Sequence, residues 1–257
     1  MSETVLITGA SGGIGLEFAK QFAEDEYNLV LVARSEDKLK DIKNNFEKEY
    51  NVKVDIIKKD LSLLQSAPEL FNEVKDRSLK IDILINNAGF GVYGLFKDVK
   101  IEPALDMINL NITAVTYLTK LFLDEMIKNN KGKIMNVAST ASFQPGPYMS
   151  VYYASKAFVL FFTEALDEEL RGTGISVSAF CPGPTETGFQ KNADMSGVKT
   201  FSFSMPVEKV VRIGYKQFMR NKRIIIPGFI NKLYIFGERF TPRWLVIRFL
   251  KSLQKKR

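Results

Sequence analysis

Residues Thr4 to Gly15 read TVLITGASGGIG. The segment from Thr4 to Gly9 is short, apolar and rich in β-branched residues, which is the composition of a strand. Glycines at 9, 13 and 15 then bracket a turn, and Ile14, Phe18 and Phe22 follow at helical spacing. A strand running through a glycine turn into a helix is the opening of a β–α unit. Such a turn has few Cβ atoms to keep a phosphate from the backbone. The helix beyond it offers unpaired N–H groups and a partial positive charge. Gly9, Ser11, Gly12, Gly13, Ile14 and Gly15 are therefore the candidates to hold the phosphates of a nucleotide. A merely flexible loop would have a similar composition, but the position at a first strand–helix junction favours the phosphate reading.

The rest of the chain repeats the unit. Asn28–Arg34 is a continuous apolar run, as in a strand buried on both faces. Ser35 is expected to cap a charged helix through Tyr50, and a third strand ends at Asp60. Helices are predicted over Leu63–Arg77, Glu102–Asn129, Ser150–Arg171 and Pro206–Arg220. Strands are predicted over Ile81–Gly89, Gly132–Ser139, Ile175–Gly183 and Arg223–Gly228. No repeat or low-complexity linker divides the series. The expectation is one α/β domain over residues 1–257: a Rossmann-type, doubly wound parallel sheet of about seven strands in three layers. Right-handed crossovers would place the ligand at the carboxyl ends of the strands.

Composition narrows the chemistry. The 257 residues include no histidine and one cysteine, Cys181. Mechanisms built on Ser-His-Asp or Cys-His are excluded, as are His-ligated metal sites, thiolate zinc clusters and intrachain disulfides, so no metal is expected. A reducing, cytoplasmic setting fits. MSETVLITGA has no basic segment followed by an apolar stretch, so no signal peptide is expected. The formal net charge is +7, but Arg220–Arg257 holds eleven Lys/Arg against the single acid Glu238. The body is nearly neutral and the tail strongly basic, which argues against nucleic acid as the partner.

A phenol, an ammonium and a hydroxyl at a strand end and on a helix face suggest proton transfer to oxygen. A free phenol has a pKa of ~10, too high for efficient exchange at neutral pH. A cation ~4 Å away in an effective dielectric of ~20 would attract the phenolate by about 4 kcal/mol, or ~3 pKa units before desolvation. Tyr152 and Lys156 are four apart and share a helix face, and Tyr153 is three from Lys156 and within reach too. Ser139 closes the fifth strand, where its hydroxyl can donate to a substrate oxygen, with Thr140 and Ser142 as chemical rivals. At the end of the second strand, Val32-Ala33-Arg34-Ser35 lacks the acid that would bind a ribose 2′-hydroxyl. Arg34 there, with Lys38 one turn on, suits a 2′-phosphate, and Glu36 is the complicating neighbour. NADP(H) is thus expected over NAD(H).

TGASGGIG (Thr8–Gly15), Asp60, NNAG (Asn86–Gly89), Asn111, Ser139, Tyr152-x-x-x-Lys156 and PGPTET (Pro182–Thr187) occur in that order. With them the sequence resembles the short-chain dehydrogenase/reductase family, over nearly all of the chain to about Gly188. The resemblance implies a carbonyl/alcohol oxidoreductase. It implies Tyr152 rather than Tyr153 as acid/base, Ser139 as donor to the carbonyl, and Asn111 as anchor of a relay water. Lys156 would tune the phenol and hold the nicotinamide ribose. Asp60 and Leu61 would flank the adenine, Asn87 and Ala88 would line the adenosine ribose, Pro182 and Gly183 would shape the nicotinamide pocket, and Thr185 and Thr187 would bind the carboxamide or the pyrophosphate. It further implies a homodimer or homotetramer paired through the two long helices. A non-catalytic NADP-binding protein, or an isomerase or dehydratase, would share the same cradle.

Residues 189–205 would be the family's substrate lid, with Met195, Phe201, Phe203 and Met205 around Gly197. Phe90, Tyr93, Phe143 and Tyr148 are expected to join it and to favour an apolar substrate. Residues 229–257 form a basic amphipathic extension. Thr241 suits its N-cap and Pro242 its first turn, with Leu245, Val246, Phe249, Leu250 and Leu253 on one broad side and Arg248, Lys251 and Lys255 opposite. Such a segment can contact a membrane peripherally, dock on the protein's own body or join a second subunit.

Overall fold

The structure is a computed structural model, and it describes residues 2–195, 198 and 204–255. Seven parallel strands lie in the order β3-β2-β1-β4-β5-β6-β7. They are β1 (Thr4–Thr8), β2 (Asn28–Ala33), β3 (Val54–Lys58), β4 (Ile83–Asn86), β5 (Gly132–Val137), β6 (Ile175–Phe180) and β7 (Ile224–Ile225). The helices between them are α1 (Gly13–Glu24), α2 (Glu36–Glu49), α3 (Ser66–Asp76), α4 (Ile101–Ile108), α5 (Val115–Lys128), α6 (Ser150–Glu169), the short α7 (Phe189–Asn192) and α8 (Val207–Met219). Two more, α9 (Phe229–Glu238) and α10 (Arg243–Gln254), close the chain.

Strand periodicity builds the layers. Val5, Ile7, Leu29, Leu31, Ile83 and Ile85 face one core, packed on Phe18 and Phe22 of α1 and on α8. Leu6, Val30, Val32 and Leu84 point the other way, onto Leu70 of α3 and Leu118 and Phe122 of α5. The continuous apolar strands are thus fully used, one residue per face in turn. This is the Rossmann-type, three-layered α/β sheet that the sequence predicts. Chain order reverses direction between β1 and β4, so a crevice opens at the carboxyl ends of those two strands.

Four boundaries differ from expectation. The third helix starts at Ser66, not Leu63, because Asp60 Oδ1 accepts from the Ser62 N–H and hydroxyl and holds a turn first. Strand β4 ends at Asn86, where the next residues leave the sheet to bond β1. The long helix after Lys100 is interrupted by a π-helical turn over Asn109–Ala114, which fits an extra residue into the helix. Pro242, not Thr241, caps α10, since the Thr241 hydroxyl donates to the Gly237 carbonyl instead. Ser35 does occupy the N-cap position of α2, but its side chain makes no capping bond. Helix α9 was not anticipated. Among the described residues no helix is long and apolar enough to cross a membrane.

A buried polar chain ties the middle of the sheet to one helical layer. Asn86 Nδ2 donates to Thr119 Oγ1 and Asn136 Oδ1, and Asn136 Nδ2 donates to Thr163 Oγ1. These groups are inaccessible to water, so each depends on the others for partners. Asn136→Ala removes one of the two acceptors of the Asn86 amide and opens a void, and is expected to lower unfolding stability by about 3 kcal/mol. Urea denaturation followed by circular dichroism measures this as a shift of midpoint at constant slope.

Candidate active site

The crevice is held open by an interlock between two turns. Thr8 Oγ1 accepts from the N–H groups of Asn87 and Ala88, both at 3.0 Å. The Asn87 side-chain amide donates to the Thr8 carbonyl at 2.8 Å and the Gly9 carbonyl at 3.3 Å. The turns approach so closely that a Cβ on Gly15 would lie 2.4 Å from the Gly9 carbonyl oxygen, and Gly9 itself has φ +68°. Both positions therefore demand glycine. Around Gly12 there is open space, and the N-terminus of α1 faces it.

This is the start of a cavity of about 1900 Å³. That exceeds the usual ~300–1,000 Å³ of a small-molecule pocket and fits a dinucleotide together with a second ligand. Gly9, Ser11, Gly12, Gly13 and Ile14 line it beside Asn87 and Ala88. Arg34, Ser35, Lys38, Asp60 and Leu61 form one end, and Ser139, Tyr152, Lys156, Pro182, Gly183, Thr185 and Thr187 lie along the other. The cradle and donor set thus suit a nicotinamide dinucleotide. Two expected contacts are absent from the wall. Gly15 is buried behind the turn, where its role is close packing, and Asn111 is fully buried behind Phe90.

At the Arg34 end the complicating acid is accounted for. Glu36 does not line the cavity but binds Lys40 at 2.8 Å and reaches Lys58 at 3.9 Å. Arg34 is mostly exposed and makes only a loose pair with Asp60, at 3.9 Å. Ser35, beside it in the wall, is a further candidate contact that the sequence presented only as a cap.

The structure separates the chemical rivals. Ser139 is the hydroxyl that acts on the Tyr152 phenol, and its Oγ accepts the Ala141 N–H and donates to the Pro182 carbonyl at 3.4 Å, whereas the Tyr153 hydroxyl accepts from the side-chain amide of Gln254. Ser142 is buried, accepting from the Ser139 N–H and donating to the Lys156 carbonyl at 2.7 Å. Asn111 Nδ2 donates to the Phe90 carbonyl and to Ser155 Oγ, and its Oδ1 accepts the Phe90 N–H. One acceptor position of Oδ1 is left for a water. A Cβ on Gly89 would lie 3.0 Å from that oxygen and 3.3 Å from Lys156 Nζ. The missing side chain of Gly89 therefore preserves a gap between Asn111 and Lys156.

The electrostatics depart from the expected picture. Lys156 Nζ lies 6.0 Å from the centre of the Tyr152 ring and donates to the Val137 carbonyl at 2.8 Å. Burial dominates both groups. It pushes the Tyr152 phenol up to about 12, opposed by the Ser139 hydrogen bond, and pulls the Lys156 ammonium down to about 8. Tyr152 is thus a protonated donor throughout the neutral range.

The substrate side differs from expectation as well. Phe90, Met195 and Met205 line the cavity, but Tyr93 and Tyr148 stack on each other with centroids 5.7 Å apart, and Phe143 packs against the cluster of Ala138, Val159, Leu160, Ala179 and Cys181. Phe201, Phe203 and Gly197 lie outside the described residues. The wall is completed from the C-terminal extension, by Phe229, Ile230, Tyr234, Phe249, Leu250 and Gln254; the aromatic tail with Phe229, Tyr234 and Phe249 reads in the sequence as contacting lipid or covering an apolar pocket, whereas Ile230, Leu250 and Gln254 carry no such signal.

Comparison with known proteins agrees with this geometry. The family model for short chain dehydrogenase matches residues 3–196. A very-long-chain 3-oxoacyl-CoA reductase of Rattus norvegicus is 31% identical over 274 residues, spanning 100% of this chain and 82% of the relative. Among solved structures, a short-chain dehydrogenase from Sphingobium yanoikuyae in complex with NADPH is 34% identical, with a TM-score of 0.84 and 93% of each chain covered. The bulky-bulky ketone specific alcohol dehydrogenase from Comamonas testosteroni is 32% identical, with a TM-score of 0.79, covering 93% of this chain and 92% of that one. The interlocked turns and the Tyr152–Ser139 pair thus stand on a shared scaffold: the chain belongs to the short chain dehydrogenase family and is a carbonyl/alcohol oxidoreductase.

Proposed function

We propose that this enzyme reduces the carbonyl of an apolar substrate, a hydrophobic ketone or a 3-oxoacyl chain, with NADPH as the reductant. The observation that carries the reading is the continuity of one cavity. It joins a glycine phosphate cradle, a basic end at Arg34 and Lys38, the Tyr152–Ser139 pair and an apolar wall. The names of the rat and Comamonas relatives, an oxoacyl-CoA reductase and a bulky-ketone dehydrogenase, support the same substrate class.

The dinucleotide, when bound, supplies the hydride. Gly9 to Ile14 hold its phosphates, and Arg34, Ser35 and Lys38 meet the 2′-phosphate with a positive field and hydrogen-bond donors. Ser139 Oγ donates to the substrate carbonyl oxygen and stabilises the charge that develops there. Tyr152, kept protonated by burial, passes its proton to that oxygen. Lys156 stabilises the resulting phenolate, and the gap kept by Gly89 leads a replacement proton in past Asn111. Exposed Tyr117, Phe158 and Phe161 on α5 and α6 support assembly through those helices, and the buried, unpaired Cys181 suits a cytoplasmic setting.

Three measurements test this. Tyr152→Phe retains the ring and loses the proton, so kcat for NADPH-dependent ketone reduction should fall roughly 10²- to 10⁴-fold with NADPH affinity little changed. An unchanged rate would refute the mechanism. Arg34→Glu should lower kcat/KM for NADPH roughly 10- to 100-fold while sparing NADH. If both cofactors suffer equally, the 2′-phosphate assignment is wrong. Gly89→Ala fills the gap beside Asn111 and Lys156, and is expected to lower kcat roughly 10- to 100-fold. An increased solvent isotope effect would mark the loss as proton delivery.

A further inference from the structure

We propose that the outer face of the α9–α10 hairpin docks on an anionic lipid bilayer, and that the substrate cavity opens onto that surface. The second part rests on the apolar-substrate reading above, and the first does not.

The hairpin already spends one face on the protein body. Val246 and Leu250 of α10 are buried against Met149, Tyr153 and Met195. The Tyr93 hydroxyl donates to the Gln254 carbonyl at 2.6 Å, and Tyr234 donates to Gln144 at 3.0 Å. What remains is a second, outward apolar face. Phe229, Leu233, Phe236 and Phe240 recur at helical spacing along α9 and just beyond it, with Phe229 78% and Phe240 75% exposed. Trp244, Leu245 and Phe249 continue the face on α10. A contiguous apolar surface of this kind marks a binding face.

Its charge says what it binds. Lys232, Arg239, Arg243, Arg248, Lys251 and Lys255 are exposed among these residues. Among the described residues no carboxylate lies within ion-pair distance of any of them. Arg248 stacks over the Trp244 ring, 5.2 Å from its centre. The one acid of the hairpin, Glu238, is half-buried, and desolvation lifts it to about 7. Pairing with a second copy through the same face would set these cations against themselves. A lipid surface of phosphates and acyl chains instead complements both features. At 1.5 Å per residue, helices of 10 and 12 residues are too short to span a bilayer and would lie along it. Phe229, Ile230 and Phe249 are exposed on this face and also line the cavity, so the face surrounds the cavity mouth.

The test is flotation of the full chain with phosphatidylserine-containing vesicles and with phosphatidylcholine vesicles, for wild type and for a Phe236→Ser/Phe240→Ser/Trp244→Ser variant. None of those three residues lines the cavity. Wild type should float with the anionic vesicles and roughly tenfold less with the neutral ones. The variant should stay in the dense fraction while oxidising NADPH at the wild-type rate with a water-soluble ketone. It should reduce a vesicle-dissolved ketone roughly tenfold more slowly than wild type. Equal flotation of wild type and variant overturns docking. So does a wild-type protein that ignores vesicles but sediments as a dimer the variant dissolves. Equal rates on the vesicle-dissolved ketone overturn lipid-side access. Wild type that floats but reduces neither ketone upholds the docking face and refutes the reductase reading.

Discussion

The close approach of the first glycine turn to the end of β4 is the constraint on which the site depends. Thr8 Oγ1 receives two backbone N–H groups from Asn87 and Ala88, and the Asn87 amide returns bonds to the Thr8 and Gly9 carbonyls. Each is worth only about 1 kcal/mol on its own, but buried partners left unmatched would cost more. Together they fix the two strands where the sheet order reverses. The backbone cradle is then open toward ligand and closed toward the core. A side chain at Gly15 would meet the Gly9 carbonyl and force the turns apart, so the cradle and the interlock stand or fall together.

Behind that interlock, burial rather than ion pairing sets the proton chemistry. Bringing a phenol and an ammonium together in a cavity has two opposed consequences. Attraction lowers the phenol and raises the amine, whereas desolvation does the reverse to both. The ammonium donates to the Val137 carbonyl and lies 6.0 Å from the centre of the Tyr152 ring. Burial of both groups moves Tyr152 up and Lys156 down, so desolvation is the larger effect. The Ser139 bond, which acts the other way, helps the phenolate once it forms.

What the sequence made legible follows from how local each feature is. The alternation of apolar strands and helices needs only neighbouring residues, and it delivered the sheet and the position of the crevice. The glycine turn and the four-residue spacing of Tyr152 and Lys156 are local as well. The π-helical turn is not. It exists because Asn111 bonds Phe90 and Ser155, 21 and 44 residues away, and nothing near position 111 announces those partners. Helix α9 was missed because Phe229–Phe236 is mostly apolar, with a pattern that helix and strand both satisfy once Pro227-Gly228 has broken the chain. Spacing gives Tyr152 and Lys156 a shared face but not where the ammonium's hydrogen bonds go, and Lys156 Nζ donates to the Val137 carbonyl, 19 residues away.

One long-range contact divides labour in the molecule. Tyr93 and Gln254 are 161 residues apart, yet their bond pins the end of α10 against the substrate side. Tyr152, Ser139 and Lys156 sit on α6 and at the end of β5, where the sheet fixes their geometry. The apolar wall sits on a hairpin fastened by a short buried stripe and a few hydrogen bonds. Residues of such a hairpin can change without moving the proton donor, so substrate range and chemistry are separately adjustable. The same hairpin carries the exposed aromatic and cationic face. Whatever that face rests on therefore borders the entrance through which the substrate passes.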